Sequence, residues 1–249
     1  MSKNLIYKDN KIIEACYKLS LSEQRILLMA ISHVNSTKKL SDTERFILSA
    51  DEYSLIFSTT KKEAFRELKE AMVTLSERWV KVIDNGDTLE KVRWLSTRSS
   101  TNSTQSISFY FGSGIIKYLS QLTGEFTRYK LINVAGINSV YAIRIYEMLM
   151  RWKAKREITL TVEELKSRME LTTKAYTLFG NIKLKVIEPA MFEIKSHTDI
   201  NPGYELIKKG NKVISIRFYF SYKEGLEPTN LLRKDNLAEI KRIRAELKI

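Results

Sequence analysis

Apolar residues recur at helical spacing in several stretches of this chain, and most of these stretches begin at a residue that can cap a helix. Serine or threonine followed by glutamate three positions later is typical of a capping box, in which the two side chains satisfy free backbone donors reciprocally. The sequence has this spacing at Ser20, Ser49, Thr60 and Thr161. We therefore predict a helix after each of them, the longest running from Thr60 to about residue 76.

Short runs rich in β-branched and aromatic residues separate these helices and predict strands. The runs are residues 46–48, 79–83, 91–95, 107–111, 158–160, 203–206 and 213–220. Asn85-Gly86 predicts a tight turn, whereas the Ser/Thr/Asn-rich residues 97–106 are expected to form a loop. A strand, two helices and a hairpin follow one another in the order of a winged helix. The second helix of that fold can enter the major groove of DNA, and the hairpin, or wing, can lie along the backbone.

The second half of the chain repeats this order. The matched elements are 46–48 with 158–160, the capping box at Ser49 with that at Thr161, and 107–111 with 216–220. They lie roughly 110 residues apart in each case, as an internal duplication requires. We predict an α+β fold of two tandem winged-helix domains. The predicted divisions are a flexible arm at 1–10, domains at 11–124 and 125–224, and a basic amphipathic tail at 225–249. The tail could pack on the second domain, pair with a partner or remain a basic arm.

Composition indicates a polyanionic partner. The 249 residues carry a formal net charge of +13, so nucleic acid is the first candidate and an anionic membrane surface the second. No stretch approaches the roughly 20 apolar residues of a membrane span, and the N-terminus lacks the apolar core of a signal peptide. The single cysteine, Cys16, excludes an internal disulfide, and a reducing cytoplasm fits best.

Candidate catalytic groups are sparse. His33 and His197 lie far apart in the sequence, so neither completes a His-x-x-x-His or Cys-x-x-Cys metal site. The sequence has no glycine-rich phosphate loop ending in Gly-Lys-Ser/Thr, which argues against a P-loop ATPase. We therefore expect no catalytic residue, no metal and no cofactor. The 12 tyrosines leave one enzymatic alternative open, a DNA nicking or strand-transfer enzyme that uses a tyrosine nucleophile.

The chain is organised around residues 126–152, which read FTRYKLINVAGINSVYAIRIYEMLMRW. Ser139 can open a helix here. The apolar stripe of this helix is Ala142, Ile145, Leu149 and Trp152, and the opposite side carries Arg144, Arg151 and Lys155. We interpret the helix as packing through one face and presenting three cations on the other, either to DNA or to solvent.

The same stretch resembles the mid-chain signature of the theta-type plasmid replication initiators that bind iterons, a family related to the F-plasmid initiator. The matching residues are Phe126-Thr127-x-Tyr129, Asn133-Val134-Ala135 and Tyr141-Ala142-x-Arg144-x-Tyr146-Glu147-x-Leu149. The resemblance extends from about residue 10 to about residue 222.

This resemblance implies two winged-helix domains related by a pseudo-twofold internal repeat, in a protein of the bacterial cytoplasm that is associated with a plasmid. A monomer of such an initiator binds direct repeats in double-stranded DNA, helps to open an A/T-rich region of the origin, and recruits the host replication initiator and replicative helicase. A homodimer in equilibrium with the monomer represses the initiator's own gene at an operator. No membrane partner is implied.

The helix predicted at 180–195 is the first candidate for reading bases. Its apolar side is Ile182, Val186, Ala190 and Ile194, and its other side carries Asn181, Lys185, Glu188 and Phe192. Asparagine can pair with adenine, lysine can donate to guanine and glutamate can accept from cytosine. Pro189 should bend or restart the helix. Lys183 falls on the apolar side, but Lys183 and Lys185 match a basic cluster of the related initiators, from which Leu184 departs.

Further cations are candidates for phosphate contacts, which position a protein without reading sequence. Lys208, Lys209 and Lys212 lie at the tip of the second hairpin, and Lys174 precedes the candidate reading helix. The parallel set in the first half is Lys61, Lys62, Arg66 and Lys69. Interleaved glutamates dilute the field of that set, so the first domain should contact DNA more weakly or share its surface with dimerisation.

An origin-binding replication initiator without catalytic activity is the leading interpretation. A dimeric winged-helix transcriptional repressor would use the same fold and contacts and is the main alternative, although the resemblance favours initiation. The tyrosine-dependent nicking enzyme and a purely structural nucleoid protein are the remaining alternatives.

Overall fold

A computed structural model describes residues 4–84, 88–224 and 234–246. The strands are β1 (Leu5–Asp9), β2 (Phe46–Ser49), β3 (Trp79–Asp84), β4 (Thr88–Arg93), β5 (Leu95–Thr101), β6 (Ser106–Phe111), β7 (Phe126–Lys130), β8 (Glu157–Thr161), β9 (Ile200–Lys209) and β10 (Lys212–Tyr222). The α-helices are α1 (Asn10–Glu14), α2 (Leu21–Ile31), α3 (Ala50–Phe57), α4 (Lys61–Leu75), α5 (Ser113–Ile116), α6 (Ile132–Ala135), α7 (Val140–Arg151), α8 (Val162–Arg168), α9 (Phe179–Ile182), α10 (Glu188–His197) and α11 (Lys234–Glu246). Within these ranges, no helix has both the length and the apolar character needed to cross a membrane.

Each half of the chain contains a three-stranded antiparallel sheet of the same design. The strand order is β2-β6-β5 in the first half and β8-β10-β9 in the second. The registers also correspond. The buried cross-strand pairs are Phe46 with Phe109 and Leu48 with Ile107 in the first sheet, and Ile158 with Phe218 and Leu160 with Ile216 in the second. Because strands matched by sequence occupy matching places in the two sheets, the predicted tandem winged-helix fold is confirmed.

The wing of the first half differs from the prediction. β3 and β4 pair with each other in a separate two-stranded sheet, whereas β5 and β6 take the places that β9 and β10 hold in the second half. Most of β5 lies in residues 97–106, which were expected to be a loop. That expectation is wrong because a Ser/Thr-rich run has a linker composition, yet β-branched threonine suits a strand with an exposed face. The turn predicted at Asn85-Gly86 lies outside the described residues.

The predicted flexible arm at residues 1–10 is wrong for the part that the structure describes. β1 pairs antiparallel with β7, so that Ile6 lies opposite Tyr129. Ile6 and Lys8 are buried, and the Lys8 ammonium lies 2.6 Å from a carboxylate oxygen of Glu147. The polar composition of this segment did not predict a strand. A lysine is not expected to be buried unless it has a charged partner, and the partner of Lys8 lies far away in the sequence. The predicted division after residue 124 therefore separates two paired strands; the division itself stays a prediction.

The predicted capping boxes form at Ser20, Thr60 and Thr161, where both reciprocal hydrogen bonds are present. Ser49 makes only half of its box. Its side chain accepts from the backbone N–H of Glu52, but the Glu52 carboxylate turns inward and does not return the hydrogen bond. The reason is a competing set of partners for that carboxylate, contributed by two distant parts of the chain.

The C-terminal helix α11 supplies one of those partners and lies on the first half of the chain. The Arg244 guanidinium lies 2.6 Å from a Glu52 oxygen, and His33 Nε2 lies 3.0 Å from the same oxygen. Ile240 is buried beside α3. The sequence left the place of the tail open among the second domain, a partner and solvent, and none of these is where α11 packs. The sequence could not predict this packing, because Arg244 and Glu52 lie far apart in the chain and their pairing leaves no local sequence pattern.

This pair predicts a pH dependence of stability. Burial opposes ionisation of Glu52, but the hydrogen bond and charge of His33 and the charge of Arg244 outweigh it, so the pKa of Glu52 is lowered. A carboxyl whose pKa is lowered by folding adds stability above its unfolded pKa of about 4.3, and that contribution is lost as the pH falls through the folded value. We expect urea titrations at successive pH values from about 6 to 3 to show a smaller acid loss for Glu52→Gln than for the unmodified chain. Parallel curves would contradict this role.

Candidate nucleic-acid interface

The second winged helix presents a long helical run, residues 179–197, that we call the recognition helix. It consists of α9, a π-helical turn (Lys183–Ile187) and α10. The inward side chains are Ile182, Val186, Ala190 and Ile194, and all are buried. The helix predicted at 180–195 and its apolar side are therefore confirmed.

The π-helical turn ends two residues before Pro189, close to where a bend or restart was predicted. Proline cannot donate to the helix ladder, and its ring clashes with the carbonyl four residues earlier, here that of Lys185. A wider turn relieves that clash without ending the helix. Such single π turns often occur at functional sites. The turn places Lys183, Leu184 and Lys185 on a locally widened stretch of helix.

The candidate base-reading residues differ in their exposure and in the contacts that they already make. Lys185 is exposed and Asn181 is partly exposed. Glu188 is engaged, since its carboxylate lies 3.5 Å from Lys183 Nζ and accepts a hydrogen bond of 3.5 Å from the Tyr204 hydroxyl. The sequence placed Lys183 on the apolar side of the helix. In the structure its side chain is 40% exposed and pairs with Glu188 at the surface. Asn181 and Lys185 are thus the more available pair.

The second wing, formed by β9 and β10, carries its cations at the tip. Lys208, Lys209 and Lys212 are all exposed, and Gly210 has a φ of +59°, which a turn residue without a side chain adopts most easily. Lys209 lies directly opposite Lys212 in the register. Like charges directly opposite each other destabilise a hairpin. A bound polyanion would reduce this repulsion between Lys209 and Lys212.

Cations elsewhere form a weaker set. Lys174 is exposed on a 3-10 turn before the recognition helix. On α4 of the first winged helix the exposed cations are Lys61, Lys62, Arg66 and Lys69. Lys61 Nζ lies 2.8 Å from a carboxylate oxygen of Asp51. The acidic neighbours lower the local positive potential of this helix, in line with the expectation from sequence that the first domain contacts DNA less strongly.

The cations of α7 do not form the predicted outward face. Arg144 is 2% exposed, donates to the Tyr17 hydroxyl and lies 2.8 Å from the Ala15 carbonyl oxygen, so it cannot contact DNA in this fold. Arg151 is paired with Glu14. The prediction failed because other segments cover both sides of the helix. Of the three cations, Lys155 is exposed.

The family signature instead forms a buried polar network. A Glu147 carboxylate oxygen accepts from Lys8 Nζ and from the Tyr129 hydroxyl, at 2.6 Å each, and its other oxygen lies 3.8 Å from Arg144 Nη1. Burial, followed by the charge of Glu147, raises the pKa of Tyr129 well above its usual value, so the phenol stays protonated and donates. The polar residues within an otherwise apolar helix were the signal that sequence reasoning missed.

A second contact of the signature joins α7 to the segment between α10 and β9. Tyr146 on α7 donates to an Asp199 oxygen at 3.0 Å, just before β9, and accepts from the Asn133 amide at 2.8 Å. The signature residues Tyr129, Asn133, Arg144, Tyr146 and Glu147 therefore act in packing and not in recognition. They fix where the recognition helix and second wing lie relative to the first winged helix.

Two winged helices, one with a half-exposed recognition helix beside a lysine-tipped wing, define a tandem winged-helix protein of the DNA-binding type. The family model described as "Initiator Replication protein, WH1" matches residues 5–150, and that described as "Initiator Rep protein, WH2" matches residues 161–220. The chain belongs to the family of initiator replication proteins.

Individual relatives agree with this assignment. The PI protein of Escherichia coli is 24% identical over 263 residues, covering 89% of this chain and 84% of the relative. An uncharacterized 27.6 kDa protein of Escherichia coli is 23% identical over 222 residues, covering 85% of this chain and 93% of the relative. Among solved structures, the Pi initiator protein in complex with iteron DNA has a TM-score of 0.77 at 22% identity, with 90% of this chain and 99% of that chain covered. This likeness shows a shared fold.

Proposed function

We propose that this chain is a plasmid replication initiator that binds directly repeated origin sequences, or iterons, in duplex DNA. The observation that carries the proposal is the exposed row of the recognition helix, with Asn181 and Lys185, next to the lysine-tipped wing. The exposed row of the helix can read bases, and the lysines of the wing can neutralise phosphates. The related Pi initiator, which has the same fold, is a protein that binds iteron DNA.

At the origin, the bound monomer helps to open the duplex and recruits the host replication initiator and replicative helicase. A dimer represses the chain's own gene at an operator. An apolar surface suited to self-association is available on the β3–β4 hairpin, where Ile83 and Leu89 lie opposite each other and are exposed. These steps belong to the bacterial cytoplasm, where the plasmid is.

The initiator acts without a nucleophile of its own. A nicking enzyme with a catalytic tyrosine needs that phenol activated by a neighbouring base, a lowered pKa or a metal ion. For the partly exposed Tyr222, burial and then the charge of Asp199 raise the pKa. Incubation with supercoiled plasmid separates the two classes, because an initiator of this kind leaves the DNA closed, whereas a tyrosine nickase converts it to open circles.

Base reading leads to a prediction for single substitutions. Asn181→Ala or Lys185→Ala should each cost about 1–3 kcal/mol of binding to the repeat and relax the preference at one base position. Lys39→Ala, on an exposed loop of the first winged helix, serves as the control and should leave affinity within about twofold. Affinities for a set of single-base-pair variants of the repeat give the measurement. Equal losses on repeat and random duplexes would show that the two residues contact only phosphates.

The experiment that tests initiation itself is a replication assay in bacteria. A DNA circle with a selectable marker and no other usable origin is built from this gene and its flanking DNA. We expect the circle to be maintained, and to be lost when either the gene or the direct repeats are removed. Maintenance without the repeats would contradict the proposal. Repression of the gene's promoter without any replication would favour the winged-helix repressor.

A further inference from the structure

The outward side of the recognition helix carries large apolar residues that the core does not use. On the helix, Leu184 and Phe192 are exposed by 63% and 70%, and Leu178, the residue before the helix, is exposed by 70%. The inward side is occupied by other residues, such as Val186 and Ala190, which are buried. Apolar groups left in water beside cations on one helix face indicate a contact surface.

Gly180 gives an independent indication of a ligand at this face. It lies one turn before Leu184 and on the same side of the helix. A Cβ atom built on Gly180 meets no atom within 4 Å beyond its chain neighbours and the adjoining helix backbone, and the backbone of Gly180 is helical. Glycine in a helix weakens it relative to alanine, and neither space nor backbone conformation requires glycine here. The bare backbone instead leaves room for a molecule that approaches Leu184 closely.

The charges around Leu184 decide what that molecule is. Lys185 is adjacent in the sequence, Lys174 lies just before the helix, and the second wing carries its three exposed lysines in the same winged helix. An apolar protein surface bound here would take these ammonium groups out of water and offer them no anionic partner, which is energetically costly. The major groove of DNA satisfies both needs, because phosphates line its edges and the C5-methyl group of thymine is the apolar group on its floor.

We infer that Leu184 is a specificity-determining residue that recognises thymine by packing against its methyl group. The inference rests on the proposed function, since it requires the recognition helix to lie in the major groove. Leu184 is better placed than the other two apolar residues because it follows Asn181 by about one turn and adjoins Lys185. A leucine at this position thus contributes an apolar contact with the thymine methyl group that a third cation would not make.

The test uses duplexes that differ by methyl groups alone. The full chain is titrated against the repeat, a copy in which uracil replaces every thymine, and a scrambled duplex, with fluorescence anisotropy as the readout. We expect the uracil copy to bind at least about fourfold more weakly, the factor that corresponds to ~0.8 kcal/mol for one buried methyl-sized group. Leu184→Ala should bind the thymine duplex more weakly and lose most of the distinction between thymine and uracil.

The control is Lys39→Ala, because Lys39 is exposed on a loop of the first winged helix and lies in neither proposed contact surface. It should keep the full thymine-to-uracil ratio. The inference is overturned if the unmodified chain prefers the repeat but binds its uracil copy equally well, or if Leu184→Ala keeps the full ratio. It is also overturned if Leu184→Ala changes self-association and leaves DNA affinity unaltered. If the unmodified chain binds the scrambled duplex as tightly as the repeat, the proposed function fails as well.

Discussion

Replacing Glu147 by glutamine is expected to cost about 3–5 kcal/mol of unfolding free energy. The carboxylate is fully buried, and the two cations facing it, Lys8 and Arg144, are 1% and 2% exposed. Glutamine keeps the size of the side chain but removes the charge, so both cations stay buried without their compensating partner. The loss should exceed that of an ordinary substitution because it weakens the contacts of β1, β7 and α7 together.

Urea denaturation measures this effect as a lower transition midpoint with an unchanged slope of free energy on urea concentration. Glu163→Gln on α8 is the matched control, because Glu163 is exposed and the same atoms are changed. The control should shift the unfolding free energy by less than about 0.5 kcal/mol. Equal small shifts in both variants would show that the signature network does not stabilise the fold.

Replacing Lys208, Lys209 and Lys212 together by glutamine is expected to weaken DNA binding more than any single substitution. Each phosphate contact contributes about 0.9 to the slope of log affinity on log salt, so loss of three contacts lowers the slope by about 2.7. At about 0.1 M salt this corresponds to a loss of several hundredfold. The repeat and random duplexes should lose affinity alike, because contacts to phosphates position a protein without reading bases.

The folded chain should tolerate this triple change, because it removes the repulsion between Lys209 and Lys212 across the hairpin. The comparison variant replaces Lys61, Lys62 and Arg66 on α4, where Asp51 and Glu63 already reduce the positive field. We expect a smaller change of slope there. Anisotropy titrations at several salt concentrations give both slopes, and an unchanged slope for the wing variant would remove the wing from the interface.

The features that the sequence predicted well are those with a local physical cause. The recognition helix has an apolar side of regular period, and the equivalent sheet registers follow from short aromatic and β-branched runs whose inward residues alternate. Pro189 also had a local consequence, the π-helical turn before it. These patterns need no knowledge of distant contacts, and the winged-helix repeat could therefore be derived before the fold was seen.

The features that the sequence did not predict depend on partners far away in the chain. The cationic side of α7 was predicted to face outward. A helical pattern does not show whether another segment covers the helix, and in the structure residues near Tyr17 cover Arg144. The same limit applies to β1, whose partner strand is β7, and to Arg244, whose partner is Glu52. In the candidate site, the pairing of Glu188 with Lys183 and its hydrogen bond from Tyr204 likewise depend on how the helix packs against β9.

The second winged helix is expected to read a repeated DNA sequence. Fluorescence anisotropy with duplexes tiled from the DNA upstream of this gene, together with a scrambled control, at several salt concentrations, tests it directly. We predict that one repeated element binds about 10³-fold or more tightly than the scrambled duplex. Equal affinity for all duplexes would contradict the claim and leave a basic protein that binds DNA without regard to sequence.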